Sequence, residues 1–258
     1  VQQSNAYIIT FSIILTVVLG LLLSGTSQVL APLQKKAVEL DTKKQILGAV
    51  LDASEIRAMK PDEILDFYEK RITSKVVDID GNVLEKDEEG NSIFAENVNV
   101  AKNYKMAPEK RKYPVFIFHA EGNEEDAEAI IVQVYGAGLW DEIWGFLALN
   151  TDLNTIEGVT FGHKGETPGL GARITEGGVQ NRFQGKKIFD DSGEFQSVSM
   201  QKGEGKDYSD DNHKVDGLSG ATITANGVNA MLENYLKAYK AYFENRKKNT
   251  STEIAVLN

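Results

Sequence analysis

Residues 129–161 read AIIVQVYGAGLWDEIWGFLALNTDLNTIEGVTF. Three apolar runs of strand length, at 129–135, 144–149 and 156–161, alternate with breaks rich in Gly, Asp and Asn, a pattern that predicts buried strands. Working outward, 113–119 (YPVFIFH) reads as a further strand. Residues 76–79 and the segment near Ile93 read as strands flanking an acidic turn-rich stretch, DGNVLEKDEEGN. Residues 197–201 read as one more strand and 171–183 as a short helix. Around these lie helical patterns. Ile64, Leu65, Tyr68 and Ile72 follow Lys60-Pro61-Asp62-Glu63, where Pro and acids suit a first helical turn. From about Ala225 to Arg246, Val228, Met231, Leu232, Tyr235, Leu236 and Tyr239 recur at helical spacing, which predicts a helix packed on a sheet. Strands and helices interleave without a regular βαβ repeat, so the fold class is α+β, with a mixed sheet and packed helices.

Of 258 residues, 41% are apolar and 26% charged, the balance of a globular fold. The net charge of −10 argues against nucleic-acid binding, which needs a basic footprint. The chain has no cysteine, which removes disulfides, thiolate catalysis and cluster ligation from its own chemistry.

Residues 6–23, AYIITFSIILTVVLGLLL, carry no charge. A helix rising about 1.5 Å per residue needs roughly 20 apolar residues to cross a hydrocarbon core of about 30 Å. A cleaved signal peptide starts basic and has a shorter apolar stretch. The chain begins VQQSN, so a retained transmembrane helix at 6–25 is expected. After it, 32–51 reads as a separate amphipathic helix with Leu40, Leu47 and Leu51 near one face. Lys35, Lys36, Lys43 and Lys44 favour a cytoplasmic soluble part by the positive-inside rule.

Asp78-Ile-Asp80-Gly-Asn82 with Glu89 imitates a calcium loop, but Val83 stands where that loop needs Gly, so an acidic hairpin is expected. His119, His163 and His213 are scattered, without the spacing of a metal site. Two stretches contain G-x-G, Tyr135-Gly136-Ala137-Gly138-Leu139-Trp140 and Thr167-Pro168-Gly169-Leu170-Gly171. Neither completes a dinucleotide fingerprint at a strand–helix junction, and no Walker sequence occurs. A third stretch, Asp216-Gly217-Leu218-Ser219-Gly220-Ala221-Thr222-Ile223-Thr224, leads into the final helix. Its hydroxyls suit an N-cap, while a helix N-terminus also suits a phosphate, held freely or as an ester of Thr.

Taken together, these stretches resemble the FMN-binding domain family. Asp216-Gly217-Leu218-Ser219-Gly220-Ala221-Thr222 resembles its flavinylation motif D-x-x-[ST]-G-A-[ST], and His163-Lys164-Gly165-Glu166-Thr167-Pro168-Gly169-Leu170-Gly171 resembles its H-x-x-E-T-P-G-L-G segment. The G-x-G-L-W of residues 136–140 resembles the branch formed by the C subunits of Na(+)-translocating NADH:quinone reductases. The resemblance implies FMN linked by a phosphoester to Thr222 through a flavin transferase that takes it from FAD. Asp216, Ser219, Gly220 and Ala221 then form the flavinylation motif, with Asp216 needed for the transferase reaction. Flavin contacts fall to Glu166, Thr167, Gly169, Leu170, Gly171, Leu218, Gly220 and Ala221. Trp140 either stacks near the ring or fills the core, whereas Tyr135 and Trp144 are structural. No catalytic residue and no metal are assigned to the chain itself.

The implied role is an electron relay in a bacterial inner-membrane complex that oxidises NADH, reduces ubiquinone and exports Na(+). Its partners would be the other subunits and membrane lipid. The family places the soluble part on the periplasmic side, against the charge pattern of Lys35–Lys44. Domains are expected at 1–5 (short segment), 6–25 (transmembrane helix), 26–111 (helical linker and accessory α/β segment), 112–246 (FMN-binding domain) and 247–258 (tail). Two alternatives remain. One is the G-type flavin subunit of an Rnf ferredoxin:NAD oxidoreductase, which typically lacks G-x-G-L-W and the long insert. The other is a non-redox membrane-anchored extracytoplasmic binding module in which Ser219–Thr222 is only a cap.

Overall fold

A computed structural model describes residues 4–87 and 89–257. Residues 1–3 of the expected N-terminal segment, and Asn258, lie outside them. The chain divides into two units, one ending at Lys43 and the other beginning at Lys44.

The first unit is helical. Helix α1 spans Asn5–Leu47 without a break and contains Pro32, so the separate helix expected from Pro32 is instead a continuation. Pro fixes a φ that a helix accepts, at the loss of one hydrogen bond. The Thr26 hydroxyl donates to the Leu22 carbonyl at 2.8 Å, so the Ser24–Ser27 stretch stays within the helix. The apolar side chains between Tyr7 and Leu23 are exposed, and the helix is long and apolar enough to cross a membrane.

The second unit starts with the last residues of α1 and two helices, α2 (Ala53–Ala58) and α3 (Pro61–Arg71). In α3 the Glu63 carboxylate accepts the Lys60 N–H at 2.8 Å, closing the first turn behind Pro61. Strands β1 (Ile72–Val77), β2 (Tyr113–Ala120), β3 (Asn123–Ala137), β4 (Glu142–Asn150) and β5 (Ile156–His163) form one sheet in sequence order. Every pairing in it is antiparallel, with Val115 opposite Val132, Val132 opposite Leu147 and Leu147 opposite Val159. The expected mixed sheet therefore resolves into an antiparallel sheet and a separate parallel ladder of β6 (Ser199–Met200) and β7 (Lys214–Val215). Because β1 pairs with β2, residues 72–77 belong to the sheet rather than to an accessory segment.

Between β1 and β2 the acidic stretch forms turns. Asp78 accepts the Asn82 N–H and Leu84 N–H returns to the Val76 carbonyl, the hairpin expected there. Near Ile93 no strand forms; an isolated bridge, Lys86 with Ser92, is followed by a 3-10 turn and α4 (Val100–Tyr104). Residues 171–183 likewise break into a 3-10 turn, α5 (Gly177–Gln180) and another 3-10 turn, not one helix. Glycines 177 and 178 and the short apolar spacing give no sustained helical face.

Helix α6 spans Thr222–Leu257. It begins three residues before Ala225 and continues past Arg246, so the expected tail is helical to Leu257. Val228, Met231, Leu232, Tyr235, Leu236, Tyr239 and Phe243 are buried against the sheet. Each fully buried side chain of this size contributes about 1.5–3 kcal/mol. The Tyr239 hydroxyl reaches the Pro114 and Gln133 carbonyls. On the opposite face α3 packs Phe67 against Phe118, with ring centroids 6.5 Å apart. With both faces covered, β2 is buried almost throughout, which is why YPVFIFH shows no polar alternation.

Candidate functional site

Antiparallel order brings three separate stretches to one end of the sheet. The β3–β4 turn lies there, closed by Gly138 N–H on the Asp141 carbonyl at 2.8 Å. His163, at the end of β5, pairs with Ile143 at the start of β4 and so lies beside it. The N-terminus of α6 arrives at the same place because the helix packs along β3.

Glu166 joins the three. It is 4% exposed. Its Oε1 accepts the Trp140 N–H at 3.0 Å, and its Oε2 accepts the Thr224 hydroxyl at 2.5 Å. Its own N–H donates to His163 Nδ1 at 3.3 Å, which accounts for the H-x-x-E spacing. A Cβ on Gly138 would lie 2.4 Å from Glu166 Oε1, and one on Gly171 would lie 2.3 Å from Oε2. These two glycines are therefore required by the carboxylate. Burial pushes the Glu166 carboxyl up, but hydrogen bonds from Thr224 and from the Trp140 and Leu139 amides outweigh it and leave it below the usual range. It is an anion at neutral pH.

Above this hub the surface is apolar. Leu139 and Trp140 form the tip of the β3–β4 turn, where neither side chain has a sheet neighbour to cover it. Trp140 is 69% exposed, so it does not fill the core; its Nε1 donates to Thr167 Oγ1 at 3.2 Å. Leu170 and Ile223 are also exposed, and Leu170 lies against Gly220, whose φ is +74°. Exposed apolar groups gathered this way mark an interaction surface. Tyr135 is buried, and Trp144 donates its Nε1 to Gln45 Oε1 at 2.9 Å, both as parts of the scaffold.

Thr222 is the first residue of α6 and is exposed. Ala221 precedes it and accepts the first helical hydrogen bond, from Ala225 N–H at 3.0 Å. An Ala at that position cannot cap. Among the described residues, no group accepts the amides of Thr222, Ile223 and Thr224, and the Thr222 hydroxyl has no partner. The first turn also contains no acid. Thr224, by contrast, is 1% exposed and committed to Glu166. Of the other expected residues, Gly171, Leu218 and Ala221 are buried, whereas Thr167, Gly169, Leu170, Ser219 and Gly220 are exposed.

Sequence reasoning missed a cluster behind the Asp216–Ser219 segment. Glu204 accepts from both terminal nitrogens of Arg173 at 2.9 and 2.8 Å, from Arg182 at 3.0 Å and from the Ser219 N–H at 3.1 Å. Its carboxyl is held down to about 2, chiefly by Arg173 and then by Arg182 and the Ser219 amide. Asp216 accepts Gly205 N–H at 2.8 Å and Lys206 N–H at 3.2 Å. These partners lie far apart in the chain, with no periodicity linking them; the turn glycines 203 and 205 are the sole local signal.

Residues 138–237, which run from the β3–β4 turn into α6 and include this helix N-terminus, match the FMN-binding domain family. Within it, the chain belongs to the family of C subunits of Na(+)-translocating NADH-quinone reductases. It is 30% identical over 235 residues to the C subunit of the Vibrio campbellii reductase, covering 86% of this chain and 87% of that one. To the C subunit from Yersinia pestis it is 31% identical over 228 residues, covering 84% and 82%. The crystal structure of the C subunit from Parabacteroides distasonis matches with a TM-score of 0.68 at 35% identity, over 83% of this chain and 96% of that one.

Proposed function

We propose that this chain is the flavin-bearing electron-transfer subunit of a Na(+)-translocating NADH:quinone reductase, with FMN joined by a phosphoester to Thr222. The observation that carries the reading is the Thr222 hydroxyl, exposed on the first residue of a helix and, among the described residues, without a partner, as are the first-turn amides. Those amides and the positive end of the helix dipole suit the single negative charge of a phosphodiester. The exposed apolar side chains of Leu139, Trp140, Leu170 and Ile223 suit the ring face. Bound flavin supplies one- and two-electron chemistry, which lets it pass electrons between unlike neighbours. Glu166 holds the turn that carries Trp140 and the segment 166–171 in register with the helix end. With Thr167, Gly169, Leu170 and Gly171 it would hold a bound flavin ring in place.

The chain lacks a dinucleotide fingerprint, so NADH oxidation falls to another subunit, and quinone reduction and Na(+) export are activities of the assembled complex. Helix α1 anchors the chain in the lipid of the bacterial inner membrane, with the second unit on the periplasmic side. A flavin transferase loads it, and the other subunits of the complex exchange electrons with it.

The test is the denatured protein in a gel under ultraviolet light, after co-expression with its flavin transferase. The wild-type band should fluoresce and its intact mass should rise by one FMN less one water. Thr222→Ala, with Thr224 intact, should abolish both. Fluorescence retained in that variant would place the ester elsewhere, and a dark wild-type band would leave Ser219–Thr222 as an ordinary helix entry.

A further inference from the structure

The segment linking β6 to β7 is fastened to the stretch that leads to Thr222. A Cβ on Gly217 would fall 1.8 Å from the Gln201 carbonyl oxygen and 2.6 Å from that of Gly203, so the two backbones lie in direct contact. Gly203 and Gly205 adopt φ of +91° and +92°, and this turn aims Glu204 back at Arg173, Arg182 and the Ser219 N–H. Arg182 also donates to the carbonyls of Asp216 and Gly217. The Asp216 side chain is 16% exposed, and both its oxygens already accept amides of the 203–206 turn. An acid so engaged faces its own loop, held by the turn amides and beside Arg182.

We infer that Glu204, Arg182 and Arg173 are positioning residues for covalent loading of Thr222, and that Asp216 acts through the same turn without touching the flavin. The inference rests on the phosphoester reading given above. In the loading step the Thr222 Oγ bonds to the phosphorus of the FMN half of FAD. The bond from that phosphorus to the AMP phosphate oxygen breaks, the hydroxyl proton is lost, and AMP leaves; no oxidation state changes. An acceptor hydroxyl in such a displacement must be in line, and a misplacement of about 1 Å costs on the order of 10²-fold. Glu204 fixes Ser219, three residues before that hydroxyl, and Arg182 fixes the two carbonyls before Leu218. The device thus sets where α6 begins.

The experiment uses the full chain in detergent, purified without flavin from cells lacking the transferase, then mixed with purified transferase and FAD. In-gel fluorescence gives the loading rate against chain concentration. Glu204→Gln and Asp216→Asn should each lower the turnover rate about 10- to 100-fold with KM for the chain unchanged. Glu204→Asp should recover part of the rate. The double variant should be no slower than the slower single one, since both act through one turn. Gly205→Ala, which strains the turn without removing a charge, should also load slowly while its thermal midpoint stays within a few degrees; it covers the case in which a charge variant folds poorly. Loading of Glu204→Gln at the wild-type rate, a rise in KM alone, or multiplicative effects in the double variant would overturn the inference. Wild-type chain that takes up no covalent flavin would instead overturn the phosphoester reading beneath it.

Discussion

Glu166 lies under an exposed turn with both carboxylate oxygens bonded, one to the Trp140 amide and one to Thr224. At such a position a methyl group has nowhere to go. Gly171→Ala would set its Cβ 2.3 Å from Glu166 Oε2 and 2.4 Å from Thr224 Oγ1, so the substitution should destabilise the fold by about 1–3 kcal/mol, measured by urea unfolding. The acid also leaves a mark on pH dependence. Its folded pKa is depressed, so its contribution is present above the ordinary value of 4.5 and is lost as pH falls through the lower, folded value. Unfolding free energies at pH 7 and at pH 3 should therefore differ more for the wild type than for Glu166→Gln. Equal slopes would show that the carboxylate charge contributes nothing there. The requirement for Gly138 and Gly171 was visible in sequence as G-x-G and P-G-L-G; their steric cause was not, because Glu166 meets Gly138 only after the sheet has formed.

Helix α6 performs two tasks along one element. Its buried face closes the core over the sheet, and its N-terminus presents Thr222. It also completes the small ladder: Asn229 Oδ1 accepts the Met200 N–H at 2.7 Å, and its Nδ2 donates to the Met200 carbonyl at 2.9 Å. The side chain amide thus replaces a neighbouring strand for β6. Asn229→Ala leaves both backbone groups unpaired, so a loss of about 1–3 kcal/mol is expected, with faster hydrogen exchange at the Met200 amide. Unchanged exchange would show that another partner satisfies it. The apolar spacing of 228–239 made this helix legible, since 3.6-residue periodicity is local. Its start was harder to place, because Ala221 supplies no capping side chain and the boundary is set by the packing of residues 201–206 on 216–219. In α1 the same limit appears at Pro32, which fits either a first turn or a helix interior.

At the scale of the molecule, charge and family point to opposite sides of the membrane. Lys35, Lys36, Lys43 and Lys44 follow the apolar span, whereas the periplasmic placement comes from the proposed role. The chain contains no cysteine, so one introduced at exposed Ser192 is a unique label site. Ser192→Cys in spheroplasts should react with a membrane-impermeant maleimide before lysis. Reaction only after lysis would put the second unit in the cytoplasm and reverse the proposed topology.

The sequence by itself determined the α+β class, the four longer strands, the final helix, the apolar span and the three glycine-rich stretches that carry the family resemblance. Each is written in neighbouring residues, through periodicity, turn chemistry or a short motif. Only the tertiary structure decided that the main sheet is antiparallel in sequence order, that Glu166 binds Thr224 across 58 residues of chain, and that Glu204 and Arg182 hold the loop before Thr222. Those outcomes depend on hydrogen bonds between segments that meet only when the sheet and α6 are packed, and no local pattern encodes such a meeting.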